Sequence, residues 1–358
     1  MRRLLAALAL LAACASDSAA PPADASTDAK LPLSGATALH CPAPGALPFE
    51  VTSTFAKPSN ATLVTDNPRI KDEASDTLGS PSGIVASVTA SIYLPDDQQP
   101  TVAGVAYHGV KARTTPTGGL RSNSIAGEKV SLWTYDATST VWQDLGMATT
   151  GPDGDYDVPP SGNAIPNGQP VYAVLEADGS CTEHYNYLLP AGSKVVVFDI
   201  DGTLTLNDGE LLMELTDDTY VPKMMGAADT LVKAWATKGY TVVYLTARPH
   251  SLRAESRGWL TDLGFPGGPL ITENGAKADV YKTLWLNRMI QSFAWTVVAA
   301  YGNADTDITA YDNAGIPKAQ TFIVGPLAGM NRTQPIVKLD FADHIATYVS
   351  AQPANQSP

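Results

Sequence analysis

From residue 193 onward, continuous apolar runs alternate with stretches of helical period. The runs are VVVFDI (195–200), TVVYLTA (241–247), GPLIT (268–272), TVVAAYG (296–302) and TFIVG (321–325). Each has strand length and is apolar without alternation, as expected of strands covered on both faces. Between the first two, Ala228, Leu231, Val232 and Trp235 recur at i, i+3, i+4 and i+7, and Gly239 follows as a helix stop. A second helix is expected to end near Leu263 and Gly264, and a third carries Tyr281, Leu284, Trp285 and Met289. A short helix over 306–314 and a terminal one near 340–351 complete the pattern. Strands alternating with helices predict an α/β fold, a Rossmann-like parallel sheet with helices on both faces. In such sheets ligands gather at the carboxyl ends of the strands, and Asp199, Thr246 and Gly302-Asn303 all fall there.

The pattern over 48–190 is different. EKVSLWTYD, VYAVLEAD and HYNYLLP are short β-rich runs separated by turn signals such as GPDGDY and IPNGQ. They predict a small antiparallel β-sandwich preceding the α/β unit. The stretch from Val130 to Trp133 through TTGPDGDYDV resembles prealbumin-like or carboxypeptidase-regulatory-like modules. Trp133, Trp142 and Trp259 are expected in cores. The five histidines are scattered without metal-ligand spacing, which suits structural or surface positions. Residues 15–47, rich in Ala, Pro, Ser and Asp, have little capacity to form a core and suit a flexible tether. The expected division is therefore 1–14, 15–47, 48–190 and 191–352.

Charge narrows the partners. The 358 residues carry a formal net charge of −13, which argues against nucleic acid and against electrostatic docking on an anionic bilayer. No apolar run is long enough to span a membrane. The start, MRRLLAALALLAAC, joins two arginines to an apolar core of signal-peptide length. Leu11-Ala12-Ala13-Cys14 resembles a bacterial lipobox, in which the cysteine is lipidated; an ordinary cleaved signal is the alternative. The lipobox implies an extracytoplasmic bacterial lipoprotein, anchored through Cys14 and facing the periplasm or cell exterior. Removing residues 1–13 takes away Arg2 and Arg3 and no acid, so the remaining charge is −13 − 2 = −15. Cys41 and Cys181 are then an even pair, either joined by a disulfide or buried as two separate thiols.

The chemistry concentrates in four places: Asp199-Ile200-Asp201-Gly202-Thr203, Leu245-Thr246-Ala247-Arg248-Pro249, Lys282, and Gly302-Asn303-Ala304-Asp305-Thr306-Asp307. Two carboxylates as close as Asp199 and Asp201 cannot both stay ionised without a compensating cation, and Mg²⁺ suits them. Asp199 can supply a metal oxygen and attack phosphorus, while Asp201 can donate a proton to the leaving oxygen and later activate water. Thr246 and the backbone N–H groups near it can hold a phosphoryl oxygen. Lys282 can neutralise charge on the equatorial oxygens, and Asp307 can complete the metal shell. Gly202, Thr203, Ala247 and Arg248 are the expected substrate contacts. Asp305 is expected to cap a helix. Asp208 either shapes the substrate entrance or sits on a solvated turn.

All four motifs, in this order, resemble the haloacid dehalogenase superfamily of phosphoryl-transfer enzymes over about 193–330. DIDGTLT, GYTVVYLTARP, FPGGPL, VYKTL, AYGNADTDITAY and TFIVG are most similar to the lipin-type phosphatidate phosphatase domain. They are equally similar to the related C-terminal domain of membrane-associated phosphatidylinositol-transfer proteins. The resemblance implies Mg²⁺ bound by Asp199, Asp307, Asn303 and the backbone carbonyl of Asp201. It also implies a lipid phosphate monoester as substrate, phosphatidate first. In the lipid-transfer relatives the domain resembles a phosphatidate sensor whose nucleophile position is not an aspartate; here Asp199 and Asp201 are both present. A sensing module and a phosphatase of soluble phosphomonoesters are the two alternatives.

Overall fold

The computed structural model describes strands at 70–73, 77–79, 85–86, 102–111 and 120–124. It then describes residues 126–355 apart from 137–138, 153, 159–169, 177–179, 217–219, 250–252 and 274–276. The expected lipidation at Cys14, the tether over 15–47 and the proposed bridge partner Cys41 lie outside these residues.

Among the described residues, ten strands form the N-terminal β-rich part: β1 (Ile70–Glu73), β2 (Thr77–Gly79), β3 (Val85–Ala86), β4 (Val102–Lys111), β5 (Leu120–Ser124), β6 (Lys129–Asp136), β7 (Val141–Thr149), β8 (Asp155–Val158), β9 (Pro170–Leu175) and β10 (Ser180–Leu188). One sheet runs β1-β4-β5, with β8 also paired to β4, and the other runs β3-β2-β10-β9-β6-β7. All these pairs are antiparallel except β10 with β2, a departure from the all-antiparallel expectation. Tyr156 and Val158 of β8 share a buried cluster with Val130, Leu132, Leu145, Val171, Ala173 and Leu175 of the six-stranded sheet. Trp133 and Trp142 are half-buried rather than core residues. They lie against Tyr172 and Val174, with the Trp142 and Tyr172 rings edge-to-face at 5.5 Å.

The C-terminal part is a six-stranded parallel sheet: β11 (Lys194–Phe198), β12 (Thr241–Pro249), β13 (Leu270–Glu273), β14 (Thr296–Gly302), β15 (Thr321–Val324) and β16 (Gln334–Ile336), in the order β13-β12-β11-β14-β15-β16. Its helices are α1 (Gly209–Thr216), α2 (Ala228–Thr237), α3 (Arg253–Asp262), α4 (Ala278–Asn287), α5 (Asp305–Asn313) and α6 (Ala342–His344). A π-turn extends α4 over Arg288–Ser292, and another extends α6 over Ile345–Val349.

Successive side chains of β11 point to opposite faces, and both faces are covered. Val196 and Phe198 join Leu231, Val232, Trp235, Trp259 and Phe341 on one side. Val195 and Val197 join Tyr281, Trp285, Ile308 and Tyr311 on the other. The four apolar positions read from α2 are all buried, and Gly239, at φ +86°, ends that helix in the left-handed conformation that glycine adopts without strain. The Tyr301 ring stacks between Phe198 (4.8 Å) and Phe322 (5.1 Å). Its hydroxyl meets Trp235 Nε1 at 2.9 Å and His344 Nε2 at 2.8 Å. Desolvation pushes the pKa of His344 down to about 4, so the imidazole is neutral in this aromatic cluster.

Candidate active site

β11 stops at Phe198, but its pairing with β14 continues for one more residue. The Asp199 N–H donates to the Tyr301 carbonyl at 3.0 Å, which holds Asp199 at the strand's mouth. Its carboxylate is buried. Lys282, reaching in from α4 and equally buried, donates through Nζ to Asp199 Oδ1 at 2.6 Å and to Asp307 Oδ1 at 2.6 Å. One ammonium therefore bridges two carboxylates, and with both of them ionised the buried trio would carry one excess negative charge.

That excess shows in the titration. Burial pushes the pKa of Asp199 up to about 8; Lys282 opposes the shift, while Asp307 and Asp201 add to it. Burial alone would depress the Lys282 ammonium, but Asp199 and Asp307 together hold it above its ordinary pKa.

Asp307 also closes the start of α5. Its Oδ2 accepts the N–H groups of Asn303 and Ala304, each at 3.0 Å, so Asp307 and not the expected Asp305 satisfies the free donors at this helix end.

Gly202 turns the chain away from Asp199 at φ +67°. A Cβ there would run into the Asn303 amide and the Asp208 carboxylate, and the positive φ itself favours glycine. The Gly202 N–H donates to Thr205 Oγ1 at 2.9 Å. The Thr203 hydroxyl lies 3.3 Å from both Asp199 Oδ2 and Asn303 Oδ1. The Asn303 amide in turn donates from Nδ2 to Asp208 Oδ1 at 3.0 Å. Partial desolvation pushes the pKa of Asp208 up, with the Asn303 amide opposing.

At the end of β12, Thr246 is fully buried and its Oγ1 accepts the Arg248 N–H at 3.1 Å, which leaves the hydroxyl proton to donate. Ala247 is half-buried beside it. The Arg248 side chain grips Asp201: Nη2 meets Oδ1 at 2.8 Å, and Nε meets Oδ1 and Oδ2 at 3.1 and 3.0 Å.

The site thus brings Asp199, Thr203, Lys282, Asn303 and Asp307 into one hydrogen-bonded group, with Asp201 and Arg248 as a second pair beside it. Two contacts escape sequence reasoning: the Arg248–Asp201 pair, 47 residues apart, and the Asp208–Asn303 bond, 95 apart. A third is Glu210, buried in the first turn of α1, which accepts the Lys223 N–H at 2.7 Å and the Tyr220 hydroxyl. The turn NDGE at 207–210 marks this loop, but nothing in it announces a buried carboxylate.

The donor set can be tested against a cation. Among the described residues, no three acidic or imidazole side chains converge as a ready-made metal cluster. Four carboxylates (Asp199, Asp201, Asp208, Asp307) face two side-chain cations (Lys282, Arg248), an excess of 4 − 2 = 2 negative charges that one divalent ion offsets. Thr203 meets Asp199 Oδ2 through a hydroxyl, and Asn303, Asp307 and Asp208 bring further side-chain oxygens into the same network. Mg²⁺ takes one or two carboxylates and keeps several waters, and this set fits that habit.

The parallel-sheet unit has relatives among known proteins. Residues 196–325 match the family described as PITM 1-3, LNS2 domain, a HAD-like domain. Protein retinal degeneration B of Drosophila melanogaster is 29% identical over 235 residues, 64% of this chain and 18% of its own length. Membrane-associated phosphatidylinositol transfer protein 3 of Mus musculus is 29% identical over 235 residues, 64% of this chain and 23% of its own length. The chain thus spans about a fifth of the length of these relatives. The likeness extends beyond the family segment, since 235 residues exceed the span 196–325. The solved HAD domain of effector protein Lem4 from Legionella pneumophila aligns with 45% of this chain and 99% of its own at 11% identity and TM-score 0.30, too distant to bear on function. The parallel-sheet unit is similar to LNS2 domains, and its four motif segments lie inside or against the matched span.

Proposed function

We propose that this protein is a Mg²⁺-dependent phosphatase of phosphate monoesters, with a lipid phosphate such as phosphatidate as its substrate. The observation that carries this reading is the buried Asp199, held by Lys282 at 2.6 Å, with a second aspartate two residues on. In the reaction, an Asp199 carboxylate oxygen attacks phosphorus and the bond to the leaving oxygen breaks. Asp201 gives that oxygen a proton. Water then attacks the aspartyl phosphate, losing a proton to Asp201 and releasing inorganic phosphate. Lys282 offsets charge on the transferring group, and the Thr246 hydroxyl donates to one of its oxygens. Asp199, Asp307, Asn303 and the Asp201 carbonyl would hold Mg²⁺, which supplies the remaining positive charge when bound.

Lipid chemistry is supported by the relatives, whose names are those of phosphatidylinositol transfer proteins. A Cys14 lipid anchor on a bacterial extracytoplasmic protein would place an acidic chain beside a bilayer that the charge left after removal of residues 1–13, −13 − 2 = −15, does not favour. The same relatives favour a second reading, a module that binds phosphatidate without turning it over. Phosphate release from phosphatidate vesicles and from soluble monoesters, with and without Mg²⁺, separates the two. Release that needs both Mg²⁺ and Asp199 supports the enzyme; vesicle flotation without release supports the sensor.

A further inference from the structure

Arg248 combines full burial with a charged partner that faces outward. Its side chain has no exposed surface, whereas the Asp201 side chain that it grips is 20% exposed. The Nη1 group is tied from behind to Ser256 Oγ at 3.1 Å, and the backbone N–H to Thr246 Oγ1 at 3.1 Å. An arginine that receives a substrate phosphate must present donors to solvent, and here Asp201 stands over the guanidinium. The three side-chain contacts fix the carboxylate in the plane of the guanidinium fork, a geometry that lysine cannot reproduce. Oδ1 takes two of these donors, Nη2 at 2.8 Å and Nε at 3.1 Å, whereas Oδ2 takes only Nε, at 3.0 Å, so Oδ2 is the edge of the carboxylate with fewer donors on it.

We infer that Arg248 is a positioning residue for Asp201 and not a substrate-phosphate ligand: it aims Oδ2 of Asp201 at the leaving-group oxygen. The inference rests on the phosphatase reading. Proton transfer follows from it in balanced form: as the P–O bond breaks, the electron pair goes to the leaving oxygen, which takes the proton carried on Oδ2. The hydrolytic step returns a proton from water to the same atom. A leaving group that departs readily as an anion needs this aim little, and an alkoxide needs it greatly.

The test uses the full chain with Mg²⁺ and two substrates, p-nitrophenyl phosphate and a water-soluble short-chain phosphatidate, compared through kcat/KM. That ratio reports the first irreversible step and is blind to the later hydrolysis. Arg248→Lys should lose about 10²-fold on the alkyl phosphate, the lower end of what a general acid contributes, and at least tenfold less on the aryl phosphate. Combined with Asp201→Asn, it should add no further loss on the alkyl phosphate. Ser256→Ala, which removes one tie to the guanidinium and disturbs the core little, should show the same substrate bias on a smaller scale if the arginine variant does not fold. Equal losses on both substrates, or a loss that persists beside Asp201→Asn, would overturn the inference and make Arg248 a phosphate ligand. If the wild-type chain hydrolyses neither substrate, the phosphatase reading itself falls.

Discussion

The edge strand β7 of one six-stranded sheet and the interior strands β11 and β15 of the other handle burial in opposite ways. In the antiparallel sheet, β7 buries only Leu145 along its nine residues and leaves the others exposed or half-exposed. In the parallel sheet, β15 buries all four of its residues, and β11 all but the first of its five. A half-covered sheet can leave its polar groups in water along the strand. A doubly covered strand has only its ends, so Asp199 and Asn303 meet through Thr203 at the mouth of the sheet, and Arg248, bonded to Thr246, reaches Asp201 beside them. The contrast teaches that the chemistry follows from how the sheet is covered.

The sharpest way to break this comparison is to remove the nucleophile. Asp199→Asn keeps the shape and should cut phosphate release by about 10³-fold or more, as loss of a nucleophile does elsewhere. An assay retaining a tenth of the activity would move the chemistry away from this mouth. Lys282→Met comes next. It leaves Asp199 and Asp307 facing each other in the core without their shared cation, and breaking a buried pair in this way costs about 3–5 kcal/mol. Denaturant unfolding should show that loss, and added Mg²⁺ should restore more stability to the variant than to the wild type.

A third prediction concerns pH. In the cation-free protein Asp199 keeps its proton up to about pH 8, whereas the unfolded chain loses it near 3.8. Between those values the folded state binds more protons, so the stability from this group is full below pH 3.8 and is lost as pH rises through 8. Asp199→Asn should abolish this slope and Mg²⁺ should flatten it; unfolding midpoints at pH 5 and pH 8 measure both. Asp208→Ala should act more mildly. It frees the Asn303 amide to turn and should raise the Mg²⁺ concentration for half-maximal activity by about 10-fold, the lower end for an outer-shell contact. The smallest effect on activity belongs to the other sheet. Leu145→Ala should cost about 2–5 kcal/mol of stability there and leave kcat/KM unchanged below the melting temperature.

What was legible in the sequence divides along the same line. Doubly covered strands announce themselves as unbroken apolar runs, and β11, β12, β14 and β15 stand where those runs stand. Aspartates at the end of such a run signal a strand mouth before any contact is known. By contrast, β16 is three residues, QPI, with no periodicity to see, and α1 is short and follows directly on the nucleophile loop. The π-turn after α4 changes the hydrogen-bond spacing but not the apolar pattern. The parallel pairing of β10 with β2 joins segments about a hundred residues apart, and alternation within one strand says nothing about which neighbour it meets. The Arg248–Asp201 grip is of the same kind, because each residue has its own local explanation in sequence.

The bridge through Lys282 has a consequence for how the chain folds. The lysine joins a residue 83 positions earlier to one 25 positions later, and it sits on a helix between β13 and β14. Asp199 and Asp307 approach each other only once β11 pairs with β14, which brings Val195 beside Val297. That closure spans about a hundred residues, and it places the site among the high-contact-order, slowly formed features of the molecule. A nascent chain that has not yet emitted β14 holds the nucleophile and the lysine but lacks the second carboxylate. The site therefore comes into being in one event, when the central strands zip together.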